Sequence, residues 1–267
     1  MESPAAQLLS SLETATEKLV SEADATALAF SGGLDSSIIA FLLKNKCSIS
    51  NCSLSLYVAG TENCRDFEAA DRSARALSLP LTKIAVTESD VSASLPGIVK
   101  MLGTAEPLIV AIELPLYFVL KNSTESLIFT GQGADELFGG YHRYVSMKKD
   151  ELCAAFENDI KTLLETGIKR EMKLASVFGK ELRYPFLDEE VINLARSIPP
   201  DMKISGGERK IILREVAAAL GLPDFIVGAR KTAAQYGSGI MKSLDRAARN
   251  NGKSLRDYIG SFSLQSP

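Results

Sequence analysis

The sequence has no tryptophan, one histidine (His142) and four cysteines (Cys47, Cys52, Cys64 and Cys153), none of them in a C-x-x-C pair. A zinc site needs a denser cluster of thiolate and imidazole ligands, and a nucleophilic triad needs a histidine beside its serine or cysteine, so neither is expected. The cysteines read as reduced, small hydrophobes. No apolar run reaches the roughly 18 residues that span a bilayer. Residues 1–25 lack the apolar core of a signal peptide, so a cytoplasmic protein without membrane contact is expected. A basic excess is missing too. Lys and Arg total 30 against 33 Asp and Glu, a net charge of −3. That excludes a broadly basic nucleic-acid binder and leaves room only for a local basic patch. With 46% apolar and 24% charged residues over 267 positions, the chain is globular and long enough for one large domain or slightly more.

What is present is an alternation of strands and helices. Leu8, Leu9, Leu12, Ala15 and Leu19 mark an amphipathic first helix within residues 1–24. Ala25–Phe30 reads as a strand, Ser50–Val58 as a second, Leu81–Val86 as a third and Ser126–Thr130 as a fourth, with a helix over Arg65–Leu79. The first and fourth strands each end in a glycine turn. The pattern predicts an α/β fold, a Rossmann-like parallel sheet with helices on both faces, over residues 25–147. Beyond Tyr144 helical segments follow one another, roughly 148–166, 168–178, 187–197, 207–219 and 238–249. Residues 148–251 are therefore expected to form a C-terminal helical extension over the carboxyl edge of the sheet, and 252–267 a frayed tail.

The turn after the first strand reads Ser31-Gly32-Gly33-Leu34-Asp35-Ser36-Ser37. Glycines let the backbone approach a phosphate, and the following helix aims free N–H groups and its positive end at the same place. Hydroxyls of Ser31, Ser36 and Ser37 can donate to phosphate oxygens. A carboxylate at Asp35 would repel phosphate unless it held Mg²⁺. No lysine follows as in a Walker loop. The segment resembles the SGGxDS loop of ATP pyrophosphatases, which cleave ATP between the α- and β-phosphates.

The fourth strand leads into Thr130-Gly131-Gln132-Gly133-Ala134-Asp135-Glu136-Leu137-Phe138-Gly139-Gly140-Tyr141. This second turn, facing the first across the sheet crevice, brings another carboxylate, Asp135, towards the same site. The segment resembles the S-G-x-G-x-D-E-x-F-G-G-Y motif of asparagine synthetases and the related β-lactam synthetases. Glu181–Asp188 (ELRYPFLD) resembles the family's E-x-R-x-P-F-L-D, residues 207–214 (GERKIILR) its K-x-x-L-R helix, and Arg230-Lys231 with Gln235, Gly237 and Gly239 its lysine-containing turn.

The resemblance implies an ATP-dependent amide ligase of the PP-loop ATP pyrophosphatase type. A carboxylate, aspartate first, would attack the α-phosphorus of ATP, release pyrophosphate and form an acyl-adenylate that ammonia converts to the amide. Asp35 and Asp135 would hold Mg²⁺. Ser31, Gly32, Gly33, Ser36, Ser37, Gly131 and Gly133 would cradle the nucleotide, and Lys231 would offset charge on its phosphates; a solvated surface lysine is the alternative. Glu136 would orient a magnesium-bound water or cap its helix. Arg170, Lys210 and Arg214 are candidates to line an anion-rich cleft or ordinary helix-surface charges, and Arg183 with Glu181 a structural ion pair or substrate contacts. Adenylation of another carboxylate or of a tRNA base, and a non-enzymatic nucleotide-binding partner subunit, are the competing readings.

The sequence departs from that family at three places. Residue 2 is Glu2, where glutamine-using members expose a catalytic cysteine. Free ammonia, ammonia from a separate glutaminase subunit, or another nucleophile is therefore expected, and a homo-oligomer stays open. Gln132 stands where many members carry a carboxylate; its amide can hydrogen-bond but has no useful pKa. Glu113 stands where members tend to have small hydroxyl residues, and would repel an aspartate if it reached the pocket.

Overall fold

The computed structural model describes residues 2–20, 24–230 and 233–262. Helix α1 (Pro4–Val20) precedes β1 (Ala25–Ala29), α2 (Leu34–Ser50), β2 (Ser53–Gly60), α3 (Arg65–Leu77) and β3 (Leu81–Ala85). Then come α4 (Glu88–Leu102), α5 (Pro107–Asn122), β4 (Leu127–Phe129), α6 (Ala134–Phe138), α7 (Lys149–Thr162), α8 (Ile168–Val177) and β5 (Glu181–Arg183). The chain continues with α9 (Glu189–Ser197), β6 (Ile204–Ser205), β7 (Glu208–Arg209), α10 (Ile211–Ala219), α11 (Asp224–Val227), α12 (Ala234–Gly237), α13 (Ile240–Asn250) and α14 (Leu255–Gly260).

The sheet has the order β3-β2-β1-β4-β5, and every neighbouring pair is parallel. The chain runs outward from β1 through β2 to β3, then returns to the other side of β1 for β4. The strand order therefore reverses between β1 and β4, and their carboxyl ends open a crevice there.

Strand residues alternate between two cores, as the pleat requires. Leu28, Leu56 and Phe129 join the core formed with α1, α2, α3, α9 and α10, whereas Ala27, Tyr57 and Ile128 join that formed with α4, α5, α8 and α13. The predicted α1 buries Leu8, Leu12 and Ala15 in the first. No single described helix is long and apolar enough to cross a membrane; the bent pair α4–α5, which matches by length and composition, builds the second core.

Several boundaries differ from expectation. Helix α2 continues through Ser50, whose hydroxyl donates to the Lys46 carbonyl, and stops at Asn51 with φ 58°; the second strand therefore starts at Ser53. Ser78, at φ 53°, ends α3 two residues early. The second half is not purely helical: β5 pairs with β4 and extends the sheet across the expected boundary at 147/148. The expected helix over 207–219 begins at Ile211, because Gly206 and Gly207 (φ 59° and 84°) form the tight turn joining β6 to β7. Within the tail expected to fray, Leu255–Gly260 is a helix capped by Ser254, with Tyr258 and Ile259 buried.

Candidate active site

The cleft at the carboxyl ends of β1 and β4 has two lobes that share Ser31, Asp35 and Asp66. The first glycine turn forms one wall. Gly33 precedes α2 in an extended conformation with no side-chain cap, so the first N–H groups of this helix keep their donors for a ligand. The Ser31 and Ser36 hydroxyls lie 3.3 Å apart, and Ser36 donates to the Gly33 carbonyl. Gly32 has φ 72°, and a Cβ there would meet the Ala69 backbone at 2.4 Å, so only glycine fits this approach to α3. Its carbonyl accepts from Ser73.

The second turn closes onto the first. A Cβ on Gly131 would stand 3.4 Å from both Asp35 Cβ and Ser36 N. Asp35 and Asp135 then converge on one cation, Lys210, whose Nζ lies 2.5 Å from Asp35 Oδ2 and 2.6 Å from Asp135 Oδ1. Lys210 is buried and adopts a left-handed φ of 58°, a conformation that side-chain-bearing residues seldom take. Gly140 passes so close that a Cβ would fall 1.8 Å from Asp135 Oδ1 and 2.5 Å from Lys210 Cε.

The first lobe is strongly basic. Arg65, Arg209, Lys210, Arg214 and Arg230 line it with the Ser31–Asp35 turn. Arg214 braces it from behind, donating to the carbonyls of Arg209, Val227 and Ala229, and Arg209 donates to the Gly140 carbonyl. Such a lobe suits a polyphosphate: a helix N-terminus, backbone N–H groups and cations surround one space.

The second lobe is apolar at the strand ends, with Phe30, Tyr57, Val58 and Ala59, and polar at its far end, with Gln132, Glu113 and Glu171. Glu113 does reach the cleft, but Arg170 Nε lies 2.9 Å from its Oε1. Burial still pushes the Glu113 carboxyl above its ordinary pKa. Glu171 on α8 is buried among Glu113, Arg170, Glu136 and the Tyr184 hydroxyl, and desolvation first, then the Glu113 charge, push it up to about 8.

The structure thus gathers Ser31, Gly32, Gly33, Asp35, Ser36, Gly131, Gln132, Gly133 and Asp135 around one cleft. It does not bring Ser37 or Glu136 there. Ser37 is fully buried beneath α2. Glu136 is buried, lines a neighbouring groove with Cys153 and Lys203, and accepts from the Tyr141 hydroxyl at 2.5 Å. Lys231 lies outside the described residues; Arg230 before it lines the first lobe and Ala234 after it the second. Arg183 pairs with Glu181 on the edge strand. Arg65, Arg209 and Glu171 were not anticipated. Arg65 had a signal, since it opens the helix after β2 and so stands at the carboxyl edge of the sheet. Glu171 had none, because its burial depends on how α8 packs.

Among the described residues no group of three or more His, Cys, Asp or Glu is placed to cage a metal. Magnesium on a triphosphate needs less: one or two carboxylates, with phosphate and water filling the remaining positions. Asp35 and Asp135 fit that, and Asp35 Oδ1 is buried without a hydrogen-bond partner.

The family model described as asparagine synthase matches residues 7–154 and 145–257. A putative glutamine-hydrolysing asparagine synthetase of Methanocaldococcus jannaschii is 32% identical over 92% of this chain and 51% of its own length. The glutamine-hydrolysing asparagine synthetase of Mus musculus is 30% identical over 69% of this chain and 34% of its own. The chain thus spans about half the length of the first relative and a third of the second. A solved NMN synthetase from Francisella tularensis is 11% identical with a TM-score of 0.46, over 98% of this chain and 94% of that one. With two characteristic glycine turns on the switch-point strands and a family match running through both halves, the chain belongs to the asparagine synthase family.

Proposed function

We propose that this chain uses ATP to adenylate a carboxylate, with aspartate the first acceptor to try, and passes the acyl group to ammonia. The observation that carries the reading is the convergence of Asp35 and Asp135, from two separate glycine turns, on Lys210 beside a basic lobe. The triphosphate lies along Ser31–Ser36 with its β- and γ-phosphates in the basic lobe, and the adenine lies against Phe30, Val58 and Ala59. Lys210, held by two carboxylates, is positioned to offset charge as pyrophosphate leaves. Magnesium held by Asp35 and Asp135 would neutralise phosphate charge and let an anionic carboxylate approach. Lys231, which matches the lysine-containing turn of the family, would be a further phosphate contact.

The acceptor carboxylate enters the second lobe, where Arg170 neutralises Glu113 and so removes the repulsion that an isolated Glu113 would exert on an anion. The test is direct. With ATP, magnesium, aspartate and ammonium, the purified chain should form AMP, pyrophosphate and amide in equal amounts. Formation of ADP and phosphate would overturn the reading.

A further inference from the structure

Outside the cleft, α6, α7, the end of α9 and the segment after it line a groove of about 280 Å³. Leu137, Phe156, Ile160 and Ile198 give it apolar walls. Lys203 also lines it, and is only 4% exposed. A buried lysine ordinarily pairs with a carboxylate. Among the described residues this one makes no salt bridge; its ammonium lies 4.9 Å from the centroid of the Phe156 ring. The acids of the groove have other partners. Glu157 on α7 accepts from two nitrogens of Arg196 on α9, and Glu136 on α6 accepts from the Tyr141 hydroxyl. Cys153 on α7 adds a thiol. Burial brings the Lys203 amine down to about 8, and Cys153 and Glu157, which act in the other direction, do not offset it. A lysine desolvated in this way exposes its lone pair near neutral pH and attacks carbonyl carbon.

We propose that Lys203 is a nucleophilic amine that captures an apolar-tailed aldehyde in this groove as a Schiff base. The Nζ lone pair forms a bond to the carbonyl carbon, the C=O π pair moves to oxygen, and oxygen takes up a proton that nitrogen releases. The resulting carbinolamine loses water and leaves a C=N bond, with nothing oxidised or reduced. The imine takes one proton from solvent, so the positive charge stays beside the Phe156 ring. That charge selects the class of ligand. Acylation would replace the cation by a neutral amide and give up its attraction to the ring. A carboxylate on the aldehyde would meet Glu136 and Glu157, whereas a hydrocarbon tail meets Leu137, Ile160 and Ile198. The groove is joined to the cleft through the backbone: the Lys203 carbonyl accepts from the N–H of Ile211, the residue after Lys210, at 3.1 Å. The proposal stands whatever acceptor the cleft itself uses.

Butanal with cyanoborohydride tests this on the wild-type chain, so no variant has to fold. Reduction fixes each imine as a butylated lysine, and peptide mass mapping locates it. At pH 7, Lys203 should be labelled about tenfold faster or more than the exposed Lys161 and Lys169, which keep the ordinary lysine pKa range and so hold fewer lone pairs. The preference should shrink at pH 10, where surface lysines also lose their protons. It should vanish in urea-unfolded protein, where the groove no longer exists. Formaldehyde, which has no tail to contact the apolar walls, should show a smaller preference for Lys203 than butanal does. Labelling of Lys203 no faster than that of Lys161 and Lys169 overturns the proposal. So does a preference that survives in urea, or one that is as large with formaldehyde as with butanal.

Discussion

Lys210 and Asp35 are 175 residues apart in sequence, yet the Lys210 ammonium lies 2.5 Å from the Asp35 carboxylate. The β6–β7 hairpin makes this contact: Lys210 leaves it with a left-handed φ and enters α10 with its side chain turned into the cleft. The same ammonium reaches Asp135, so one residue joins the two glycine turns. Replacing Lys210 by methionine should leave buried carboxylates without their cation and destabilise the fold by about 3–5 kcal/mol. Guanidinium unfolding would read this. Adding Asp35→Asn to Lys210→Met should restore part of the loss, and additive losses would show that the pair is not coupled.

Gly140 is required by space. Alanine there would collide with Asp135 and Lys210, so Gly140→Ala should displace one of them and abolish pyrophosphate release. Gly97→Ala, inside α4 with Met101 3.9 Å away as its nearest contact, serves as control. It should be neutral or stabilise by up to about 1 kcal/mol. Wild-type activity in Gly140→Ala would contradict the placement of Asp135.

Arg170 keeps Glu113 tolerable in the cleft. Arg170→Met should drive the Glu113 pKa further up and cost several kcal/mol at pH 8, of the order of 3–5. The cost should shrink at pH 5, where an unpaired Glu113 takes up a proton. Thermal melts at both pH values read the difference, and a cost that does not vary with pH would mean Arg170 acts by packing alone.

Glu171 makes a signed prediction. Its folded pKa, about 8, lies above the ordinary 4.5. Its contribution to stability is therefore full below the ordinary value and is lost as pH rises through about 8. Glu171→Gln cannot ionise. It should melt close to wild type at pH 5 and higher than wild type at pH 8.5, by roughly 2–4 °C for each kcal/mol recovered. A melting difference that is the same at both pH values would contradict a raised Glu171.

The strands that flank the crevice were legible because each is a short apolar run ending in glycine, and glycine turns with hydroxyls and acids are local signals. Ser31, Gly33, Asp35 and Asp135 could be assigned to one site for that reason. Strand β5 was hidden because it is three residues long, charged at both ends, and buries only Leu182. Edge strands need little apolar pattern, since one side faces no partner. Ser37 looked like a phosphate ligand by its neighbours, but the turn of α2 carries it to the buried side. Glu136 is likewise buried, against the Tyr141 hydroxyl. The sequence left Lys210 open between a cleft residue and an ordinary helix-surface charge; only the left-handed entry into α10 turns it inward. Glu171 depends on the packing of α8 against α5, which no local pattern records.

The central claim is that a carboxylate attacks the α-phosphorus of ATP in the cleft between the two glycine turns. The most direct test supplies aspartate labelled with ¹⁸O in its carboxyl groups, together with ATP, magnesium and ammonium, and analyses the nucleotide product by mass spectrometry. The account predicts AMP carrying one ¹⁸O atom taken from the carboxylate, with unlabelled pyrophosphate. Unlabelled AMP, or label appearing in inorganic phosphate with ADP, would contradict it.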